Sequence, residues 1–181
     1  MGKLKRPQMA VFVKVPGETT PEFCLAGVYT DEMSIAYNPQ TEESQDVTET
    51  AGRIDITAYS LNVPVTTKVV DKEGAKGYKL SNYIQTLRRS LATTSDAETE
   101  ALIVDMYEKA KDNNPVAQKF AATIQIDTYG GAATESLGIE YTLNFNGDPV
   151  TGSAKITVDQ ASGDKKAEFV DNPTAGGSVS H

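Results

Sequence analysis

The sequence lacks most of the residues on which enzymes and metal sites depend. Its 181 residues include no tryptophan and a single histidine, His181, which is the last residue. A catalytic imidazole has to be held rigidly beside its partner, and a final residue after Gly176-Gly177-Ser178 is a poor place for that. We therefore expect no serine–histidine–aspartate, cysteine–histidine or histidine-metal site. No cofactor is predicted, since there is neither a Walker loop nor a dinucleotide fingerprint.

Cysteine and long apolar runs are also scarce. The single cysteine, Cys24, excludes an internal disulfide framework, and its apolar neighbours predict a small buried hydrophobe. No run approaches the roughly 20 apolar residues that a membrane span requires. The basic start, Met1–Arg6, is followed by an apolar stretch, Met9–Val13, that is too short for a signal peptide. We expect a protein that is made and kept in the cytosol.

Paired carboxylates are the one catalytic arrangement that remains open, because glycosidases need only two of them. The candidates on predicted strands are Asp55, Asp105, Asp127 and Glu140. Nothing in the sequence places any two about 5 to 9 Å apart, the separation that such chemistry needs. Solvent-facing carboxylates on half-buried strands explain them better, so an enzyme ranks last among the hypotheses.

The charge balance is acidic, with 25 Asp and Glu against 17 Lys and Arg. A formal charge of −8 argues against a protein that grips nucleic acid, because such proteins need basic patches. The acidic residues either keep the protein soluble or form a surface that nucleic acid passes without sticking. Composition alone does not choose between the two.

Alternation with period two is the main pattern and predicts a mainly β protein. It is clearest in Leu137–Phe145 and in Phe120–Ile126, which we predict to form an antiparallel hairpin around Gly130-Gly131. The segment Asn146–Pro149 is expected to end the second strand, since Gly and Pro both interrupt a ladder. Weaker strands are predicted at residues 11–15, 23–29, 33–37, 54–63, 65–70, 156–158 and 167–170, with a turn at 162–164 joining the last two.

One helix is predicted from Asn82 to Ala92, capped by Ser81, with Arg88 and Arg89 at its negative end. The segment after it is ambiguous. Ser95 to Glu98 has the form of a capping box, and the apolar residues beyond it fit a helix as well as a strand, with the pattern favouring a helix.

Two polar segments read as loops or tails. Residues Asn38 to Gly52 form a long polar loop, which in a compact domain is usually functional or an assembly arm. Residues Pro173 to His181 are rich in Gly and Ser and are typical of a flexible tail. We see no internal repeat and no second domain.

The order of several short motifs resembles the major tail tube proteins of siphophages. The resemblance covers about residues 11 to 158, and no single motif is diagnostic. The strings that carry it are Tyr37-Asn38-Pro39-Gln40-Thr41, Asp96-Ala97-Glu98-Thr99-Glu100-Ala101-Leu102-Ile103-Val104, Ile124-Gln125-Ile126-Asp127, Tyr129-Gly130-Gly131, Ile139-Glu140-Tyr141-Thr142-Leu143-Asn144 and Asn146-Gly147-Asp148-Pro149-Val150-Thr151-Gly152.

The resemblance implies a mainly β (α+β) fold, a β-sandwich or barrel-like tail tube fold with one flanking α-helix and long assembly loops. It implies hexameric rings of identical subunits that stack into a hollow tube, through which DNA passes transiently and without specific binding. It further implies the tape measure, tail terminator and distal tail proteins as partners, no membrane, and assembly in the host cytoplasm into a virion. It also implies that residues 101–107 form a strand, against the helical pattern. The tail tube β domain is predicted to span residues 1–158, followed by a C-terminal extension, 159–181.

Two groups of residues are the predicted assembly sites. The hairpin is predicted to face the lumen or an interface with Gln125, Asp127, Glu140, Thr142 and Asn144. The long loop is predicted to contact other subunits or stacked rings with Asn38, Pro39, Gln40, Thr41, Glu42, Glu43 and Asp46. The alternatives are the inner tube of a contractile tail or tailocin-like particle, which one chain does not separate from the first, and a soluble β-sandwich that binds glycans. The missing tryptophan counts against the glycan-binding module.

Overall fold

The computed structural model describes residues 9–16, 22–30, 33–44, 53–110 and 112–171. These residues are mainly β with one α-helix among them, which confirms the predicted fold class. The elements are β1 (Met9–Lys14), β2 (Phe23–Leu25), β3 (Pro39–Ser44), β4 (Arg53–Tyr59), β5 (Asn62–Lys68), α1 (Tyr78–Ser90), β6 (Glu98–Lys109), β7 (Pro115–Gly130), β8 (Gly138–Val158) and β9 (Lys165–Asp171). No helix within these residues is long and apolar enough to cross a membrane.

Six of the strands close into a ring. The main sheet has the order β5-β8-β7-β6-β1-β2-β9, and β9 also pairs with β8. The length of β8 makes this possible, because Gly152 in its second half pairs with Ala117 on β7 and with Asp171 on β9. The ring of β1, β6, β7, β8, β9 and β2 therefore resembles a small closed barrel, in which the paired strands have no free edges.

The ring encloses a small core of its own. Every strand contributes at least one buried side chain to it: Phe12, Phe23, Leu102, Val104, Ala117, Ala154 and Ala167. The three alanines lie opposite bulky neighbours, and such alternation of small and large residues fills the interior of a small barrel. The ring is thus a packed core and not a channel.

A second and larger core lies on the opposite face of the sheet, beneath α1. The helix contributes Leu80, Ile84 and Leu87 to it, and β6 contributes Ala101 and Ile103. Because successive residues of a strand point to opposite faces, the intervening residues of β6 point into the ring instead. The two faces of β6 are therefore both buried. This explains why its apolar run fitted a helix, and it is a strand, as the resemblance implied.

The predicted hairpin of β7 and β8 is confirmed, but the prediction that Asn146–Pro149 ends β8 is wrong. The pairing of Ala121 with Asn146 is followed by that of Lys119 with Val150, so residues 147–149 bulge opposite Phe120. Gly147 lies in this bulge at φ 69°. A bulge is a place where a strand accepts Gly and Pro without losing ladder hydrogen bonds.

Two weaker strand predictions also need correction. The predicted strand 54–63 is divided at Ser60, and β5 then runs through Pro64. Proline is tolerated there because β5 is the edge strand of the main sheet. The predicted strand 33–37 is reduced to a single bridge between Ala36 and Asn62. The predicted turn 162–164 does join β8 to β9.

The helix begins four residues earlier than predicted and is not capped by Ser81. It begins after Gly77, whose φ of 82° suits glycine and whose N–H donates to Asp164 Oδ1 at 2.6 Å. Ser81 Oγ instead accepts a hydrogen bond from the Val70 N–H at 2.9 Å. Arg88 and Arg89 lie in the last turn, as predicted. The capping box at Ser95 forms only a short 3-10 turn before β6.

Candidate assembly surfaces

The exposed side of the β7–β8 hairpin is a continuous polar surface, which we call the hairpin face. It carries Thr123, Gln125, Asp127, Thr128, Glu140, Thr142, Asn144 and Asn146. The opposite side of the same strands is apolar and buried, with Ile124, Tyr141 and Leu143 in the core beneath α1. Strand alternation therefore places all five predicted hairpin residues on one face.

Hydrogen bonds across the two strands organise the hairpin face. Asp127 accepts from Gln125 Nε2 at 2.6 Å and from Thr142 Oγ1 at 2.7 Å. Glu140 accepts from Thr128 Oγ1 at 2.7 Å. Alternation turns Asp127 outward, and the register shift between Ile126 and Thr128 places Thr128 beside it on the same face.

The hairpin face has carboxylates but no cation. Its charged members are Asp127 and Glu140, and its other side chains are hydroxyls and amides. The nearest charged cluster on β6 is internally paired, because Glu100 binds Lys14 at 2.6 Å and Lys119 at 3.6 Å. The hydrogen bond from Lys14 is the main reason that the pKa of Glu100 is lowered. The hairpin face therefore has no unpaired positive charge with which to bind a polyanion.

The edge strand beside the hairpin face is partly blunted. The Asn62 N–H and C=O both bond to Ala36, at 3.0 and 2.9 Å, on the side away from β8. Thr66 O, four residues further along β5, accepts from Thr30 Oγ1 at 2.8 Å. Pro64 lies between them and has no N–H to offer. The outer edge of β5 therefore presents few free donors.

The long polar segment is not a structureless loop where the structure describes it. Residues 39–44 form β3, which pairs with β4 in a separate two-stranded sheet that we call the arm. The prediction of a loop is therefore wrong for these residues. The sequence gives no alternation from which β3 could be predicted, because Pro39–Ser44 contains only polar residues and one proline.

The base of the arm is fixed by local contacts. Asn38, at φ 37°, donates through Nδ2 to Ser60 O at 3.0 Å. Tyr37 and Tyr59 pack edge to face with ring centres 6.4 Å apart. Six of the seven predicted loop residues, Asn38 to Glu43, lie at this base or on β3, and Asp46 lies outside the described residues.

The arm exposes apolar side chains from the predicted strand 54–63. Ile54 is 69% exposed and Ile56 is 55% exposed, and they pair with Glu43 and Thr41 on one face of the arm. An isolated two-stranded sheet is at best marginally stable in water. Within the described part of the chain, the arm therefore carries an apolar face that is mostly exposed.

No protein-family model matches the sequence, and no curated protein matches it. Solved structures that it resembles include the baseplate of the anti-feeding prophage, at 9% identity and a TM-score of 0.48, covering 83% of this chain and 95% of that chain. Another is the sheath-tube complex of an extracellular contractile injection system in its extended state, at 12% identity and a TM-score of 0.45, covering 83% of this chain and 92% of that chain. At these values the likeness assigns no function to the chain.

The carboxylates considered for catalysis are dispersed over the fold. Asp127 and Glu140 share the hairpin face, whereas Asp55 lies on the arm and Asp105 pairs with Met9 on β1. Burial and then the nearby Glu108 raise the pKa of Asp105. Among the described residues no group of three or more His, Cys, Asp or Glu is placed to hold a metal ion.

Cys24 is a half-buried residue of β2 and packs against the core beneath α1. Burial raises the pKa of its thiol to about 11, chiefly through loss of hydration of the thiolate. A thiol with that pKa is almost entirely protonated at neutral pH, so Cys24 is a packing residue, as its apolar neighbours indicated.

A cavity of about 270 Å³ opens at one end of the ring. Its walls are mostly apolar, with Leu25, Met106 and Ile156 among them, and Phe12 is completely buried at its base. A glycan-binding module is expected to present exposed aromatic rings for stacking on sugars. This cavity presents methionine and aliphatic side chains instead.

Proposed function

We propose that the chain is a structural subunit of a phage-tail type particle. Copies of it assemble into rings, and the stacked rings form a hollow tube whose lumen is lined by the hairpin face. The resemblance to siphophage tail tube proteins supplies the hexameric ring and the passage of DNA. The observation that carries the proposal is the hairpin face itself: a continuous, internally hydrogen-bonded polar surface with carboxylates and no cation.

Such a surface suits a wall along which DNA moves. Proteins that hold DNA do so mainly by releasing counterions with Lys and Arg, and the hairpin face has neither. Its carboxylates repel phosphates, and the donors on Gln125, Thr128 and Thr142 are already used within the face. The hairpin face therefore offers DNA few free hydrogen-bond donors and no cation that would hold it in place.

An exposed apolar face and unpaired sheet edges are the features of the described chain that favour self-assembly. A head-to-tail contact that closes gives a ring, and stacking of rings gives a tube. The arm has an apolar face without cover, and the main sheet has an edge at β5 and another at Glu98–Glu100, which within the described residues pair only with β7. An unpaired edge can pair with another chain, but Glu98–Glu100 is short and β5 is blunted, so we assign most of the association to the arm.

Electron microscopy of the purified protein, concentrated at low and at high salt, tests the proposal. Rings or hollow tubes of uniform diameter are expected, and dispersed monomers under every condition would favour the glycan-binding module. A variant with Asp127→Lys and Glu140→Lys tests the lumen assignment, with Glu73→Lys and Glu168→Lys as the exposed control pair. We expect the hairpin variant alone to lose assembly or DNA passage. Unchanged tubes that retain infectivity would remove the hairpin from the lumen.

A further inference from the structure

A groove lies between α1 and the tip of the β7–β8 hairpin, on the far side of the core from the hairpin face. It has a volume of about 250 Å³, and its lining residues include Tyr78, Asn82, Gln85, Arg89, Tyr129 and Leu137. No residue of the arm of the same chain lines it. We call it the helix groove.

An unpaired buried donor lies in the wall of the helix groove. Gln85 is only 5% exposed, and its Oε1 accepts a hydrogen bond from Arg88 Nε at 2.9 Å. Its Nε2 has no hydrogen-bond partner in the structure. A buried N–H without an acceptor is costly, and native proteins rarely keep one unless something fills the place. The subunit therefore leaves one amide donor of Gln85 unsatisfied beneath the groove wall.

Positive charge without a partner surrounds that donor. The Arg88 guanidinium lies 3.9 Å from the centre of the Tyr129 ring, and Arg89 is exposed. In the described part of the chain neither arginine has a carboxylate within 4 Å. Asp71 also lines the groove but forms no ion pair with either arginine. Unpaired arginines are unusual in a chain with a net charge of −8.

Apolar side chains complete the surface around the groove. Leu137 and Tyr129, which line the groove at the hairpin tip, are 43% and 42% exposed. The surface thus combines exposed apolar side chains with the unpaired cation of Arg89. Arginine and tyrosine beside apolar residues are the composition of interface centres.

The arm carries the complementary groups. Glu42 and Glu43 are exposed on β3, and Glu43 pairs with Ile54 on β4, so an acidic and an apolar side chain share one face. We infer that the helix groove of one copy receives the arm of a second copy. The Glu43 carboxylate binds Arg89, while Ile54 and Ile56 on the same face of the arm cover Leu137 and Tyr129. This inference rests on the proposed self-assembly and names the surface that the arm contacts.

Charge reversal tests the contact with the full chain. Glu43→Lys and Arg89→Glu are each expected to weaken self-association about tenfold in sedimentation velocity, because each replaces attraction by repulsion. The double variant is expected to recover association, since both charges are exchanged. Lys72→Glu, an exposed reversal outside the groove, is the control and is expected to have no effect. Circular dichroism confirms that each variant is folded.

A crosslinking measurement keeps the inference testable if a charge variant misfolds. In a Cys24→Ala background, chains with Glu43→Cys and chains with Asn82→Cys are mixed under oxidising conditions. Mixed disulfide dimers are expected, and neither variant alone is expected to give them. If crosslinks are missing, or if single reversals assemble as the wild type does, the inference is wrong while self-assembly stands. If the wild type never self-associates, the proposed function fails with it.

Discussion

The sharpest prediction concerns Ile54 and Ile56 on the arm. Replacing both with threonine keeps a β-branched side chain at each position, so the strand preference of β4 is retained. Both side chains are mostly exposed in the isolated chain, at 69% and 55%. The double variant should therefore unfold at nearly the same denaturant concentration as the wild type, since little apolar burial is lost within the subunit.

Association should respond very differently. Complete burial of an isoleucine contributes about 1.5 to 3 kcal/mol, so covering the exposed parts of both side chains is worth roughly 2 to 4 kcal/mol per contact. Each 1.4 kcal/mol corresponds to about a tenfold change in affinity, so the double variant should associate roughly 30- to 700-fold more weakly. The upper end applies if the second copy covers both side chains fully.

Sedimentation velocity over a concentration series measures the affinity, and electron microscopy shows whether rings or tubes still form. Val158→Thr is the matched control, because Val158 is 52% exposed at the end of β8 and lies away from the arm. The control should associate as the wild type does. If the arm variant assembles with wild-type affinity, the arm is not an assembly contact and its exposed isoleucines need another explanation.

Three further predictions concern the subunit itself. Gly152→Ala should unfold at markedly lower denaturant concentration, because the added Cβ would lie 2.4 Å from Val170 O and 2.6 Å from Phe169 Cζ. Gly130→Ala is the control, because a Cβ added there has nothing within 4 Å. Equal effects of the two substitutions would contradict the packing of β8 against β9. The pKa of Glu100 is lowered on folding, so its contribution is present above its unfolded pKa of about 4.3 and is lost as the pH falls through its lower folded pKa. Glu100→Gln should therefore make the free energy of unfolding fall less steeply as the pH is lowered. If urea titrations at a series of pH values show the same fall as the wild type, the contact with Lys14 does not cause the loss of stability in acid. Cys24 should react slowly with a thiol reagent at pH 8, because its pKa is about 11, and a rate typical of an exposed thiol would show that β2 opens readily.

Strands that face water on one side were easier to predict than β6, which is buried on both sides. β7 and the first half of β8 have one polar and one apolar face, so period-two alternation identifies them directly. β6 buries four consecutive residues, Ala101 to Val104, because one face fills the ring and the other meets α1. A run of that kind has no period, and only the three-dimensional closure of the ring explains it.

Proline and glycine misled the sequence analysis where the sheet itself supplies a place for them. Pro149 lies in a bulge of β8, and Pro64 lies on an edge strand, so neither removes a ladder hydrogen bond that the sheet requires. Whether a strand is at an edge or bulged depends on its neighbours, which the local sequence does not contain.

The two candidate surfaces differ in the same way. The hairpin face follows from alternation, since the polar residues between buried ones have to be exposed together. The isoleucines of the arm obey the same alternation as core residues, and what makes them exposed is that β3 and β4 pair with each other and not with the main sheet. The groove donor on Gln85 gives no sequence signal, because it depends on the packing of α1 against the hairpin tip.

Edge pairing alone would hold two copies weakly, and this is why the arm matters to the proposed assembly. On one side of the sheet, Glu98–Glu100 offer only three residues beyond the end of β1. On the other side, the outer edge of β5 is occupied by Ala36 and Thr30 and interrupted by Pro64. Short and blunted edges discourage uncontrolled pairing of free subunits. Because edge pairing contributes little, most of the affinity between subunits has to come from another contact. The exposed apolar face of the arm is the part of the described chain able to provide it.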